Sequence, residues 1–300
     1  MDEEDRLTEQ FEANRARLRG VAYRMLGSLS EADDAVQEAW LRLQRSDAAI
    51  VDNLAGWLTT VVSRVCLDLL RARRSRREEH VAAQPSGPDA VAGVGDGTDP
   101  EDEVALADAV GIALLVVLDA LTPAERLAFV LHDLFGVPFE EVGPIVGRTT
   151  EAARQLAHRA RRRVRGAAPP AEADRARQRA VVEAFLRATR TGDLDGLLAV
   201  LEPDAIIHIE AAARIDAPPA EIGLPREIRG PSAWVARFVA MSRGLRFVRM
   251  ALIDGTVGLI DAPRGKLARV LLLTFSGDRI ARVQIVADPA RLRALEIAVL

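Results

Sequence analysis

The run Asp33-Asp34-Ala35-Val36-Gln37-Glu38-Ala39-Trp40-Leu41-Arg42 carries two patterns at once. Wound as a helix, it places Ala35, Ala39 and Leu43 on one side with Val36 and Trp40 nearby, while Asp34, Gln37, Glu38 and Leu41 fall on a neighbouring face. One face is apolar and the other acidic. Asp34 and Glu38 stand four residues apart and repel each other slightly, where a helix built only for stability gains more from opposite charges. A basic partner explains the arrangement; a solvated acidic face is the alternative that spacing alone leaves open.

Outward from this run, apolar residues recur at three- and four-residue spacing from Asp5 to about Arg77, with no proline in the stretch, so an all-helical bundle is expected. Gly27-Ser28-Leu29-Ser30 punctuates it. Ser30 is the expected N-cap, with acidic Glu31, Asp33 and Asp34 in the next turn, which the helix dipole favours. A further helix is expected after Asp52-Asn53, through Trp57, Val61, Val65 and Leu69 into the basic run Arg71 to Arg77. Between Val81 and Glu103 periodicity gives way to Gly, Pro, Ala and Asp, as in a solvated acidic linker, and a domain boundary falls there. Helical spacing returns from Val104 to Leu121. Thr122-Pro123 then supplies an N-cap with proline at the first helical position. Gly136 and Gly147 break the next stretch into short helices, and Thr149-Thr150-Glu151 opens a strongly basic one, spacing that suits a helix-turn-helix.

After Ala167-Ala168-Pro169-Pro170 the character changes. Helices are expected at about 173–190 and 194–200. Alternating β-branched runs come next, at 205–210, 245–253, 257–260, 268–275 and 280–286, separated by turns such as Asp254-Gly255 and Ser276-Gly277-Asp278. A helix near Trp234 interrupts them and another closes the chain. Helices followed by antiparallel strands indicate an α+β domain.

Composition bounds the function. The 300 residues are 49% hydrophobic and 28% charged, which excludes a disordered or fibrous chain. No apolar run reaches membrane-spanning length and the start is acidic, so the cytoplasm and no membrane partner are expected. Cys66 is the sole cysteine, which rules out an intramolecular disulfide and a cysteine-based zinc site; it reads as a small buried hydrophobe. A net charge of −4 does not argue against nucleic acid, because phosphates answer to local clusters of charge. Nearly all the positive charge is arginine, Lys266 being the sole lysine.

Taken together, Ala22-Tyr23-Arg24-Met25-Leu26-Gly27-Ser28, Asp34 to Trp40 and Leu54-Ala55-Gly56-Trp57-Leu58 resemble region two of the extracytoplasmic-function sigma factors. Leu121-Thr122-Pro123-Ala124-Glu125-Arg126 and the turn around Phe139-Glu140-Glu141-Val142 resemble region four. The resemblance implies a multidomain chain: region two at 1–80, a flexible acidic linker at 81–103 and a helix-turn-helix region four at 104–167. It implies core RNA polymerase as partner, through the β′ coiled coil and the β flap, with Asp33, Asp34, Gln37, Glu38 and Leu41 making contact. Promoter DNA is the second implied partner. Trp57, Ser63, Arg64, Asp68, Arg71 and Arg74 belong by position to minus-10 recognition and melting, with Cys66 at or near the loop that accepts a flipped base; Trp57 reads more readily as a core residue at helical spacing than as a stacking platform. Arg154, Gln155, His158 and Arg159 fall at minus-35 reading positions, flanked by Arg148 and Arg162 as phosphate contacts.

Residues 172–300 resemble the SnoaL-like, ketosteroid-isomerase-like cone, which in a subgroup of these sigma factors modulates activity through contacts with the sigma domains. Enzymes on that fold place a carboxylate base and a polar partner in the cone. His208, Glu210 and Asp216 are the available candidates, but no enzyme activity, catalytic residue, metal or cofactor is expected. Three subgroup signatures are altered. Glu210-Ala211-Ala212-Ala213-Arg214 stands where Asp-Gly-Gly-Gly is usual, Ala287 to Leu292 where Asn-Pro-Asp-Lys-Leu is usual, and Val81 to Pro85 lacks the usual Trp-Leu-Pro-Glu-Pro. Two other readings remain: a helix-turn-helix regulator with a ligand-sensing domain, and a ligand-processing enzyme fused to a DNA-binding unit.

Overall fold

The structure is a computed structural model that describes residues 3–45, 53–83, 111–166, 172–210, 226–230, 233 and 248–300. Helices α1 (Glu3–Leu26), α2 (Leu29–Arg45) and α3 (Leu54–Ala83) form the N-terminal bundle. Ser28 rather than Ser30 caps α2, its Oγ lying 3.5 Å from the Glu31 N–H. The helix starts two residues earlier than the Ser30 signal suggests because Leu29 is needed in the core, where it is 1% exposed. Asn53 caps α3 by accepting from Gly56 N at 2.9 Å. That helix runs to Ala83, past the expected start of the linker at 81. Linker residues 84–103, Asp216 and the expected helix near Trp234 lie outside the described residues.

Helix α4 (Ile112–Asp119) precedes α5 (Pro123–Phe129), a π-helical turn at Val130–Leu134, α6 (Phe139–Val146) and α7 (Thr150–Arg165). At α5 the Thr122 hydroxyl accepts from Glu125 N while the Glu125 carboxylate accepts from Thr122 N, a reciprocal capping box with proline at the first turn. Gly147 ends α6 in the left-handed region at φ 72°. The turn is so close that a Cβ on Gly143 would sit 3.0 Å from the Arg148 carbonyl, so α6 and α7 meet over a glycine.

Contacts divide the chain into two compact units, Met1–Val110 with Leu118–Arg161, and Gly111–Val117 with Arg162–Leu300. The second unit carries α8 (Glu172–Thr191), α9 (Leu194–Val200), α10 (Pro289–Ala294) and strands β1 (Leu201–Ile209), β2 (Glu227–Arg229), β3 (Val248–Ile253), β4 (Thr256–Asp261), β5 (Arg269–Ser276), β6 (Arg279–Val286) and β7 (Ile297–Ala298). The strand order is β2-β1-β6-β5-β4-β3-β7. The sheet is mixed rather than antiparallel throughout, since β1 runs parallel to β6 with Ile207 opposite Val283. The long connection between β1 and β6 lets the chain return in the same direction. The chain closes on the edge strand β7 rather than on a helix: α10 stops at Ala294, and Asp254 and Glu296 exchange bonds that dock the last residues on β3.

Register puts Ile207, Ile209, Val283, Ile285, Leu271, Leu273, Val257 and Leu259 against α8 and α9, whose Val182, Phe185 and Leu197 complete a core. The opposite face is also buried at Ala251, Ile260, Val270 and Val286, each fully shielded. Leu115 of the Gly111–Val117 segment lies against Gly265. At the other end of the region-four-like segment, Val299 N donates to the Val164 carbonyl at 3.0 Å. Both ends of that segment therefore belong to the second unit.

Candidate polymerase and nucleic-acid interfaces

On α2 the buried stripe is Leu29, Ala32, Ala35, Val36, Ala39 and Leu43. Trp40 packs on Phe11 of α1, with ring centroids 4.8 Å apart. The expected acidic face is only partly available. Asp33 is held in a two-pronged bond by Arg19, at 2.7 and 3.0 Å. Glu38 pairs with Arg42 one turn on, at 2.8 Å. Asp34 and Gln37 are exposed and Leu41 half-exposed, which leaves a narrow patch of one carboxylate, one amide and one leucine.

The minus-10 candidates on α3 separate by burial. Arg64, Asp68, Arg71 and Arg74 are exposed, and Asp68 lies 3.7 Å from Arg71. Trp57 is half-buried. Ser63 is 0% exposed, and its hydroxyl has no partner among the described residues. It faces the bundle interior, not the surface. Cys66 is also fully buried, and desolvation pushes its thiol up to about 12, so it stays neutral and unreactive at physiological pH.

Helix α7 hides Ala153, Leu156, Ala157 and Ala160 and exposes Arg154, Gln155, His158, Arg159 and Arg162 on the other side; Arg148 is exposed in the preceding turn. Thr149 caps it by accepting from Ala152 N at 3.2 Å. Three of its arginines meet acids from three different elements. Arg154 reaches Glu140 at 3.0 Å and lies over the Phe139 ring, Arg159 reaches Glu125 at 2.9 Å, and Arg161 reaches Asp133 at 2.6 Å. An open cleft of about 530 Å³, lined by Pro144, Gly147, Arg148, Thr149 and Ala152, lies at the helix-turn-helix corner beside the start of α7.

Arg126 is the residue whose role the sequence concealed. It is 3% exposed, donates from Nε to the Arg24 carbonyl at 3.0 Å and reaches Asp119 at 3.4 Å. The last turn of α1 thus receives a cation from a helix a hundred residues away, at the end where the helix dipole favours one. Burial pulls its guanidinium down to about 10, with Asp119 opposing that shift, so it remains charged at neutral pH. Around it, Arg24 lies over Phe135 at 5.2 Å, and Arg73 donates to the Leu26 carbonyl while pairing with Glu31. Only the Thr122-Pro123 N-cap was readable here; the part played by Glu125 and the destination of Arg126 were not.

In the second unit, His208 and Glu210 share a face, as strand alternation requires, and it is the face away from the α8–α9 core. Glu210 is paired with Arg291 of α10.

This geometry combines an acidic patch on one helix and a basic helix-turn-helix in a single chain, and the comparisons agree with it. Residues 10–76 match the sigma-70 region 2 model and residues 112–164 the sigma-70 region 4 model, which defines a sigma-70-type factor. The chain is 35% identical over 297 residues to the probable ECF RNA polymerase sigma factor SigI of Mycobacterium tuberculosis, with 98% of each chain covered. It is 38% identical to the ECF sigma factor SigJ of that organism, covering 93% of this chain and 91% of the relative. A crystal structure of M. tuberculosis SigJ aligns over 95% of this chain and 98% of that one, at 32% identity and a TM-score of 0.45. The chain belongs to the ECF family of RNA polymerase sigma factors. Among the described residues, no helix is long and apolar enough to cross a membrane.

Proposed function

We propose that the chain binds core RNA polymerase through Asp34, Gln37 and Leu41 of α2, reads minus-35 duplex with the exposed face of α7, and engages opened minus-10 DNA with Arg64, Arg71 and Arg74 of α3. The observation that carries this reading is an exposed patch around Asp34 on α2 and an exposed arginine-rich face on α7, on helices whose other faces are packed. A narrow acidic patch suits a basic protein partner, and a cationic helix suits phosphates and base edges. Asp33 and Glu38 act at one remove in this reading, as parts of ion pairs that hold the α2 surface.

Minus-35 and minus-10 elements lie roughly 25 base pairs apart, or about 85 Å at ~3.4 Å per pair. A compact unit of roughly 150 residues has a radius of gyration of about 15 Å and a diameter near 40 Å. The first unit as packed cannot address both elements. Promoter binding therefore parts α5 from α1, at the Arg126 contact.

The second unit is read as a SnoaL-like domain that modulates the sigma domains. Support comes from its hold on both ends of the region-four segment, through Leu115 against Gly265 and through Val299 to Val164. Core-polymerase binding tests the reading. Asp34→Arg in the full chain is expected to weaken that binding by roughly thirtyfold or more, as a charge reversal at an interface hot spot does, with the fold intact. Unchanged binding by Asp34→Arg and by Leu41→Arg would remove α2 as the polymerase contact.

A further inference from the structure

Arg154, Arg159 and Arg161 of α7 are not held by their acids in equivalent ways. Arg154 is half-exposed and so are its acids, Glu140 at 64% and Glu151 at 69%, so water and salt screen those pairs and the side chain can exchange partners. Arg161 and Asp133 are both mostly covered, at 32% and 21%, which makes that pair a brace between α7 and the π-helical turn. Arg159 differs from both. Its side chain is 53% exposed while its partner Glu125 is only 8% exposed. One end of the bond is fixed in the protein and the other projects outward.

Glu125 is itself immobilised. One carboxylate oxygen accepts from the Thr122 N–H at 3.2 Å and from the Thr122 hydroxyl at 2.8 Å; the other accepts from Arg159 Nε at 2.9 Å. A single carboxylate thus caps α5 and grips α7. The grip is on Nε, so the two terminal nitrogens of the guanidinium lie at the far end of an exposed side chain. A guanidinium fixed by Nε keeps its planar fork, and that fork matches the O6 and N7 acceptors of guanine. Ordering the side chain before DNA arrives removes rotamer entropy that binding would otherwise have to overcome.

We infer that Glu125 is a positioning residue for base recognition: it holds Arg159 so that its two terminal nitrogens face a guanine edge in the minus-35 duplex. The inference rests on the sigma-factor reading above. Its consequence is that Glu125 contributes to sequence discrimination without touching DNA.

The test uses holoenzyme assembled from the full-length chain and core polymerase, offered promoter-length duplexes randomised over the minus-35 segment, with bound sequences counted. Glu125→Gln keeps an acceptor for the Thr122 N–H and removes the charge that grips Arg159. It is expected to leave the thermal midpoint unchanged and to flatten by roughly tenfold a guanine preference at one position, the position that Arg159→Ala also flattens. Adding Glu125→Gln to Arg159→Ala should change nothing further. The inference is overturned if Glu125→Gln leaves the preference intact, or weakens all sequences equally as loss of a phosphate contact would. No enrichment by the unaltered holoenzyme would instead overturn the sigma-factor reading on which the inference rests.

Discussion

Each of the two compact units has a buried hydrophobic core, and they differ in what is added to it. In the first, charged side chains reach between helices: Arg126 to the end of α1, Arg159 to the capping box, Arg19 to Asp33, Arg73 to Glu31. In the second, hydrocarbon dominates, with a sheet buried on both faces and a core of aliphatic residues around Phe185. Polar contacts between helices are directional and can be exchanged for contacts with a partner, whereas buried aliphatic area is lost outright when packing opens. In the proposed function it is the Arg126 contact of the first unit that is exchanged on promoter binding, while the aliphatic cores of both units stay packed.

The contrast breaks most visibly in the sheet. Leu259→Ala removes a fully buried side chain from the centre of the aliphatic core and should cost about 3 kcal/mol in denaturant unfolding of the second unit. A loss below about 1 kcal/mol would mean that this core is not packed as described. Arg126→Ala comes next. It strips the Arg24 carbonyl of its donor and leaves a void, and should destabilise the first unit by about 2 kcal/mol while increasing its radius of gyration in solution scattering. If stability falls without expansion, the contact braces the unit but does not close it.

A smaller effect sharpens the comparison chemically. The raised Cys66 thiol predicts no measurable alkylation of the native chain at pH 8 and full alkylation in denaturant. Linkage gives the sign: its folded pKa of about 12 lies above its ordinary value of 9.0, so its contribution to stability is complete below pH 9 and is lost as pH rises towards 12. Alkylation of native protein at neutral pH would show that α3 opens. The smallest expected change is Ser63→Ala, which removes a buried hydroxyl without a partner and should shift stability by no more than about 1 kcal/mol, in the stabilising direction. A fall in promoter opening with unchanged stability would show that Ser63 becomes exposed on DNA.

Legibility in the sequence tracks the range of the interactions. The helices at 172–191 and 194–200, the Thr122-Pro123 N-cap, the Gly147 break and the longer strands are set by neighbours a few residues away, and they stood out. The short edges β2 and β7 did not, because two or three residues carry no periodicity. The cap of α2 was misplaced by two residues because two serines compete there and core burial of Leu29 decides. At the sites, periodicity found the exposed stripes of α2 and α7 but not which of their charges are already spent. Asp33 and Glu38 look like Asp34 in sequence; only Arg19 and Arg42 distinguish them. Glu125 and Arg126 are adjacent letters of one motif, yet one grips the recognition helix and the other the end of α1.

The central claim is tested most directly by run-off transcription with core RNA polymerase and the full-length chain, on promoter sequences recovered by the holoenzyme. The account predicts a transcript that requires the chain, starts at one position, and disappears with Asp34→Arg. Core polymerase that initiates equally well without the chain, or a start that is indifferent to Asp34→Arg, would contradict it.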